Sequence, residues 1–185
     1  MIRELVADGK RRMESAIDAL HSEFNTVRTG RASTALLDRL FVDYYGTRTP
    51  LKQMANLATP DPRTISVTVY DKSAVNAVVR AIQESDLALT PNAEGTIVRL
   101  HIPPLTAERR KELVKQVKSI AEDQRIAVRN VRRDVIQDLK DLKKEGEISE
   151  DEERRAEEEV QKITDSFVER VNELLRSKEE EILEI

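Results

Sequence analysis

The sequence predicts an α+β protein: an antiparallel three-helix bundle with a small β/α/β domain inserted between its first and second helices, L-shaped in outline. Three observations carry this prediction. All six prolines lie between Pro50 and Pro104, in the same stretch as the strand-like runs rich in β-branched residues. Outside that stretch, apolar residues recur at three- and four-residue steps, the period of a helix with one buried face. The helical pattern ending at Gly146 runs for about 40 residues, roughly 60 Å at 1.5 Å per residue. A helix of that length cannot be the centre of a compact ball and needs long partners.

The first helix is expected from Ile2 to Val27, where Ile2, Leu5, Val6, Met13, Ile17, Leu20, Phe24 and Val27 keep helical spacing. Gly9 weakens it near its start. Gly30 is placed to end or bend the helix; if the helix runs on, Arg28 and Arg31 share a face. Leu40 to Tyr45 reads as a strand closed by a turn at Gly46, and Thr47–Pro50 as an edge strand returning from it. Residues 58–63, with Pro60 and Pro62, read as a loop. Thr64–Tyr70 alternates and is the strongest strand signal in the chain. Asp71-Lys72-Ser73 opens a helix whose apolar face is Val75, Val78, Val79 and Ile82. Leu89–Asn92 reads as a turn or loop, and Thr96–Ile102 as a further strand stopped by Pro103-Pro104.

From Leu105 the chain is helical again, with Thr106 as N-cap and Glu108 meeting the helix dipole. Its seam is Leu113, Val117, Ile120, Ala121, Val128, Val131, Val135, Leu139 and Leu142. Ser149-Glu150-Asp151-Glu152 is a capping box. The helix after it buries Ala156, Val160, Ile163, Phe167, Val171, Leu174 and Leu175 in four–three steps. Acid-before-base pairs four apart (Glu150–Arg154, Asp151–Arg155, Glu158–Lys162) read as structural. The short 144–148 link makes the last two helices antiparallel. The bundle thus takes residues 1–30 and 105–185, and the inserted domain takes residues 31–104. The two crossings form a hinge at Thr29, Gly30, Ile102, Pro103, Pro104 and Leu105.

Composition narrows the function. With 36% charged and 3% aromatic residues the chain suits long exposed helices. A net charge of −4 means that any nucleic-acid contact must come from local patches. There is no cysteine, no apolar run of membrane-spanning length and no signal-peptide core. A cytoplasmic monomer without cofactor is expected. One patch stands out: Arg125, Arg129, Arg132 and Arg133 fall in one helical stripe roughly 100° wide. Arg129, Arg132 and Arg133 have no acid three or four residues away. Like charges at that spacing destabilise a helix by a few tenths of a kcal/mol per pair, so local stability does not explain them. The planar guanidinium suits phosphate, and the row reads as a docking face for RNA or another polyanion. The plain alternative is a solvated face met by acids on a neighbouring helix. Arg28 and Arg31 form a second pair near the hinge, roughly 35 Å from the first patch by helix rise, a spacing that suits a large anionic surface.

Several long motifs occur in order: Val27-Arg28-Thr29-Gly30-Arg31-Ala32-Ser33, Asp43-Tyr44-Tyr45-Gly46, Ser85-Asp86-Leu87, Ile102-Pro103-Pro104-Leu105-Thr106, Glu108-Arg109-Arg110-Lys111 and Val128-Arg129-Asn130-Val131-Arg132-Arg133-Asp134. With them the chain resembles, over essentially its full length, the bacterial ribosome recycling factors. Leu87-Ala88-Leu89 departs from the Leu-Gly-Leu expected in that family. The resemblance implies a three-helix bundle hinged to a β/α/β domain, roughly tRNA-like in outline. It implies binding to the large ribosomal subunit (23S-type rRNA) after termination, and splitting of the ribosome with elongation factor G, whose GTP hydrolysis drives the step. The rRNA contacts would be Arg28, Arg31, Arg129, Arg132 and Arg133, with Arg109 and Arg110 as secondary candidates. The protein itself would be no enzyme.

Two other classes compete. A helical adaptor would dock proteins through its seams and acidic face; the arginines without local acids argue against it. A hydrolase finds no Cys nucleophile, two distant histidines, no P-loop and no metal-spaced cluster. His21, His101 and the Asp71–Ser73 pair read as structural.

Overall fold

The computed structural model describes residues Met1 to Glu184. The chain forms two compact units, one of Met1–Arg28 with Ala107–Glu184 and one of Thr29–Thr106.

The first unit holds three helices: α1 (Ile2–Thr26), α4 (Ala107–Lys144) and α5 (Glu150–Leu183). Their seams face one another. Met13, Ile17, Leu20 and Phe24 of α1 are buried with Leu113, Val117, Val128, Val135 and Leu139 of α4 and with Ala156, Val160, Phe167 and Val171 of α5. Polar contacts across the helix pairs fix the directions. Arg12 meets Asp134 at 2.7 Å, while Gln124 reaches Glu23 at 3.4 Å, so α1 and α4 are antiparallel. Arg125 meets Asn172, and Lys143 meets Glu153, so α4 and α5 are antiparallel too. Gly146, at φ 76°, ends α4 in a Schellman turn: its N–H donates to the Lys143 carbonyl and that of Glu147 to the Leu142 carbonyl. Ser149 and Glu152 close the expected capping box on α5.

Three details differ from expectation. The α5 seam at mid-helix is Thr164, whose Oγ1 donates to the Val160 carbonyl at 2.8 Å, while Ile163 is only half-buried. The back-bond satisfies the hydroxyl within its own helix, so a polar residue is tolerated in the seam. Arg154 pairs with Asp151, three residues away, in place of Glu150. Gly9 is buried in α1, and a Cβ there would lie 2.7 Å from Cγ2 of Val135. It is the point of close approach between two helices as well as a weak helix former.

The second unit contains two sheets where one was expected. Strands β1 (Phe41–Tyr44) and β2 (Thr47–Pro50) form a hairpin of their own; β3 (Ala55–Asp61), β4 (Thr64–Val69), β5 (Pro91–Glu94) and β6 (Ile97–His101) form an antiparallel sheet in the order β3-β4-β6-β5. A single turn, α2 (Leu51–Met54), joins them, and α3 (Val75–Gln83) packs on β1 and β5. The core is Leu37, Val42, Leu51, Ile65, Val67, Val69, Val78, Ile82, Val98 and Leu100.

Two segments expected as loops are strands, 58–61 in β3 and Pro91-Asn92 in β5. Both are edge strands, where a missing N–H costs no ladder bond. Pro91 opens β5, and Pro60 falls where the β3–β4 register shifts between Ala58 and Asp61. The departure from the family pattern has a visible consequence: Ala88 sits at φ 53°, in the left-handed region that favours glycine.

Candidate nucleic-acid interface

The arginine row lies on α4, and its orientation follows from helix geometry. Taking Val128, Val131 and Val135 as the buried direction, 100° per residue places Arg133 within about 10° of the opposite, outward direction. Arg129 lies about 50° from outward, and Arg132 and Arg125 turn toward one flank. The contacts identify that flank as the α5 side. Nε of Arg125 donates to Asn172 Oδ1 at 2.9 Å, and its Nη1 meets Glu122 at 2.9 Å, leaving the side chain 18% exposed. Nη1 of Arg132 donates to Gln161 Oε1 at 2.7 Å, and Nε2 of Gln161 donates in turn to Asp165 at 2.8 Å.

The row is therefore less bare than sequence spacing implied. Glu122 also lies 3.6 Å from Nη1 of Arg129, seven residues on. Seven residues are two turns, nearly the same stripe, and a long arginine side chain reaches back over them. Among the described residues Arg133 has no hydrogen bond or ion pair, and Arg132 has a neutral partner with its own acid behind it. The four arginines thus divide. Arg125 ties α4 to α5, Arg129 and Arg132 are held but keep donors to spare, and Arg133 projects alone. Five donors per guanidinium make this division possible, since one contact leaves most of the fork open.

The structure does not make Arg28 and Arg31 one helical face. α1 ends at Thr26, and Val27 is extended at φ −80°, ψ 115°. Arg28 closes the first unit and Arg31 belongs to the second. Arg28 is exposed and without a hydrogen bond or ion pair among the described residues; Arg31 is exposed. Arg109 and Arg110 sit in the first turn of α4, roughly 30 Å of helix from Arg129. Arg109 meets Glu112 at 2.9 Å, and Arg110 is half-buried with a buried Nε that has no hydrogen-bond partner.

In the second unit the crossing segments are packed. Gly30 lies at φ 77°, and a Cβ there would fall 2.8 Å from Cγ of Leu105. Ile102 and Leu105 are half-buried, while Pro103 and Pro104 are exposed. Elsewhere in this unit, Tyr44, Asp71 and Ser73 form a lock at a helix start. Asp71 accepts from Tyr44 Oη at 2.6 Å and from the N–H and hydroxyl of Ser73 at 2.9 and 2.7 Å. These donors, Tyr44 first, hold the Asp71 carboxyl below the usual range, and the same bond to Asp71 pushes the Tyr44 phenol up to about 12. No histidine joins the cluster: His101 Nδ1 lies against Thr64 Oγ1 at 3.3 Å. Among the described residues no group of three or more His, Cys, Asp or Glu side chains could hold a metal ion.

Known proteins share this sequence and fold. The family model for ribosome recycling factor matches residues 20–183. The ribosome-recycling factor of Legionella pneumophila is 51% identical over 185 residues, all of both chains. That of Rubrobacter xylanophilus is 50% identical over 180 residues, 97% of each chain. Among solved structures, a solution structure of a ribosome recycling factor matches with a TM-score of 0.70 at 38% identity, over 100% of this chain and 98% of that one. Another match is the ribosome recycling factor of T. thermophilus, described with the E. coli elongation factor G bound to the E. coli post-termination complex; its TM-score is 0.61 at 46% identity, over 99% of each chain. By sequence along nearly its whole length and by fold, this chain belongs to the ribosome recycling factor family.

Proposed function

We propose that the chain binds the large ribosomal subunit of post-termination ribosomes and, with elongation factor G and its GTP hydrolysis, separates the subunits. The observation that carries the binding part is the outward face of α4. Arg133 projects without a partner among the described residues, and Arg129 and Arg132 stand beside it with donors to spare. Structured rRNA offers closely spaced phosphates to such a row. Contacts of this kind position the protein without reading sequence. Arg28 adds a guanidinium without a partner among the described residues, and Arg31, Arg109 and Arg110 are further candidates for the same RNA. The relative described on a post-termination complex with elongation factor G supports the choice of partners.

The acidic residues of the bundle bear on specificity. Residues 1–28 and 107–184 hold 23 basic and 28 acidic side chains. The unit as a whole is repelled by RNA, so the arginine face has to supply the attraction locally, and other orientations are disfavoured. The second unit, with eight basic and seven acidic residues, is close to neutral. It suits a protein contact, and in this reading it receives the push from elongation factor G while Thr29–Arg31 and Pro103–Thr106 flex. The GTPase is the partner, and this chain performs no chemistry of its own.

The test is light scattering from post-termination ribosomes mixed with this protein, elongation factor G, GTP and an initiation factor that blocks reassociation. Scattering should fall only when the protein and GTP are both present. Arg133→Ala should weaken co-sedimentation with large subunits and reduce the salt slope of binding by about one. Binding that ignores salt would overturn the electrostatic part. Neither splitting nor binding would return the chain to an adaptor role.

A further inference from the structure

The hairpin end between β3 and β4 carries a device that the docking face does not use. The Ala32 N–H donates to the Pro62 carbonyl at 2.7 Å, and the Ile102 N–H donates to the Arg63 carbonyl at 2.7 Å. Ala32 follows one chain crossing and Ile102 precedes the other. They are seventy residues apart in sequence, yet they end on adjacent carbonyls of a single turn. The Ile102 bond continues the β4–β6 ladder by one rung beyond Thr64↔His101. The Ala32 bond belongs to no ladder, so sheet formation does not account for it.

The turn is built to hold those carbonyls still. Asp61 Oδ1 accepts the Arg63 N–H at 2.9 Å, an Asx turn closed by the side chain. Pro62 fixes its own φ, and the register shift between Ala58 and Asp61 frees Thr59 and Pro60 from the ladder, re-aiming the strand end. Hydrogen bonds from the Arg63 N–H and from Thr64 hold the Asp61 carboxyl below the usual carboxylate range.

We propose that Asp61 is a positioning residue: by closing the Asp61–Arg63 turn it straps both chain crossings to the base of the second unit. A force on that unit then reaches the linker residues, 28–31 and 103–106, instead of being absorbed by peeling of Ala32 from the hairpin. The proposal rests on the recycling reading for its consequence, and on the turn geometry alone for its existence.

The experiment compares Asp61→Ala with Asp61→Asn in the full chain. Asparagine keeps the Asx turn and loses the charge; alanine loses both. Amide exchange at Ala32 should accelerate at least tenfold in Asp61→Ala and stay within about twofold of wild type in Asp61→Asn. Co-sedimentation with large subunits should be unchanged in both variants. The splitting rate should fall several-fold in Asp61→Ala and recover in Asp61→Asn. A residue with only a stabilising role would not separate binding from splitting in this way. Unchanged exchange at Ala32 in Asp61→Ala would overturn the strap. So would accelerated exchange with full splitting, or equal slowing in both variants, which would assign the effect to charge. If Asp61→Ala does not fold, Asp61→Asn alone decides, since loss of Ala32 protection there contradicts the proposal. Failure of wild type to split ribosomes would defeat the recycling reading instead, with Ala32 protection still measurable.

Discussion

Replacing Gly9 by alanine sets two well-characterised effects against each other. On helix propensity alone the change should stabilise α1 by up to about 1 kcal/mol. The structure opposes this, because the new Cβ would lie 2.7 Å from Cγ2 of Val135, a side chain 3% exposed in the bundle core. Valine cannot turn aside cheaply, since one χ1 rotamer dominates in a helix. Overpacking of this kind costs about 1–3 kcal/mol, so Gly9→Ala should be destabilising by about 1 kcal/mol net. Val135→Ala alone should cost about 2 kcal/mol for the lost methyl groups and the space they leave. In the double variant the clash is gone, because Cβ of residue 135 lies 3.9 Å from the new Cβ, an ordinary contact. There Gly9→Ala should become stabilising by about 1 kcal/mol, giving a coupling of about 2 kcal/mol. Urea unfolding followed by circular dichroism at 222 nm reports the helices and gives the four stabilities. Stabilisation by Gly9→Ala in the wild-type background, or additivity within about 0.5 kcal/mol, would refute the close-approach argument.

Other perturbations test other elements. Ala88→Gly relieves a left-handed alanine, which costs about 1–2 kcal/mol, against about 0.4–1 kcal/mol of added unfolded-state entropy. The second unit should gain about 0.5–1 kcal/mol, read by tyrosine fluorescence, because there is no Trp and all three tyrosines lie in that unit. The Tyr44 phenol should ionise at about 12 in an absorbance titration, and Asp71→Asn should bring that step down by weakening the hydrogen bond that Tyr44 donates and by removing the facing charge. Because the folded value is raised above the ordinary 10.0, this bond's stabilisation is fully present below about 10 and should fade as pH rises toward 12. Arg125→Ala should loosen the α4–α5 contact to Asn172 and lower bundle stability by about 1 kcal/mol, whereas Arg133→Ala should leave stability within about 0.5 kcal/mol. Paired urea curves separate them, and equal losses would refute the division of the arginine row.

Features that depend on neighbours along the chain were legible before any packing was known. The three long helices follow from apolar residues at three- and four-residue steps. The Ser149–Glu152 capping box and the stop at Gly146 follow from short-range hydrogen bonding and from backbone freedom at one glycine. The strand at Thr64–Val69 follows from strict alternation. With the motifs, this was enough for the fold class and the family. The arginine stripe on α4 was equally legible, since its spacing is a property of one helix.

Features that depend on residues far apart in sequence emerged only from the packed fold. Whether Pro60 and Pro91 break a strand or sit in one depends on whether the strand is an edge, which is a matter of sheet order. Whether Gly9 is a weak point or a close approach depends on Val135, a residue of another helix. The separation of Arg28 from Arg31 follows from the end of α1 at Thr26 and the extended residue after it. How many donors of the arginine face are engaged depends on which acids and amides the packing brings up: Glu122 two turns away, and Asn172 and Gln161 across the helix pair. Local spacing identifies which residues share a stripe. Only packing determines which of those guanidiniums are already engaged and which, like Arg133, remain open to an anion.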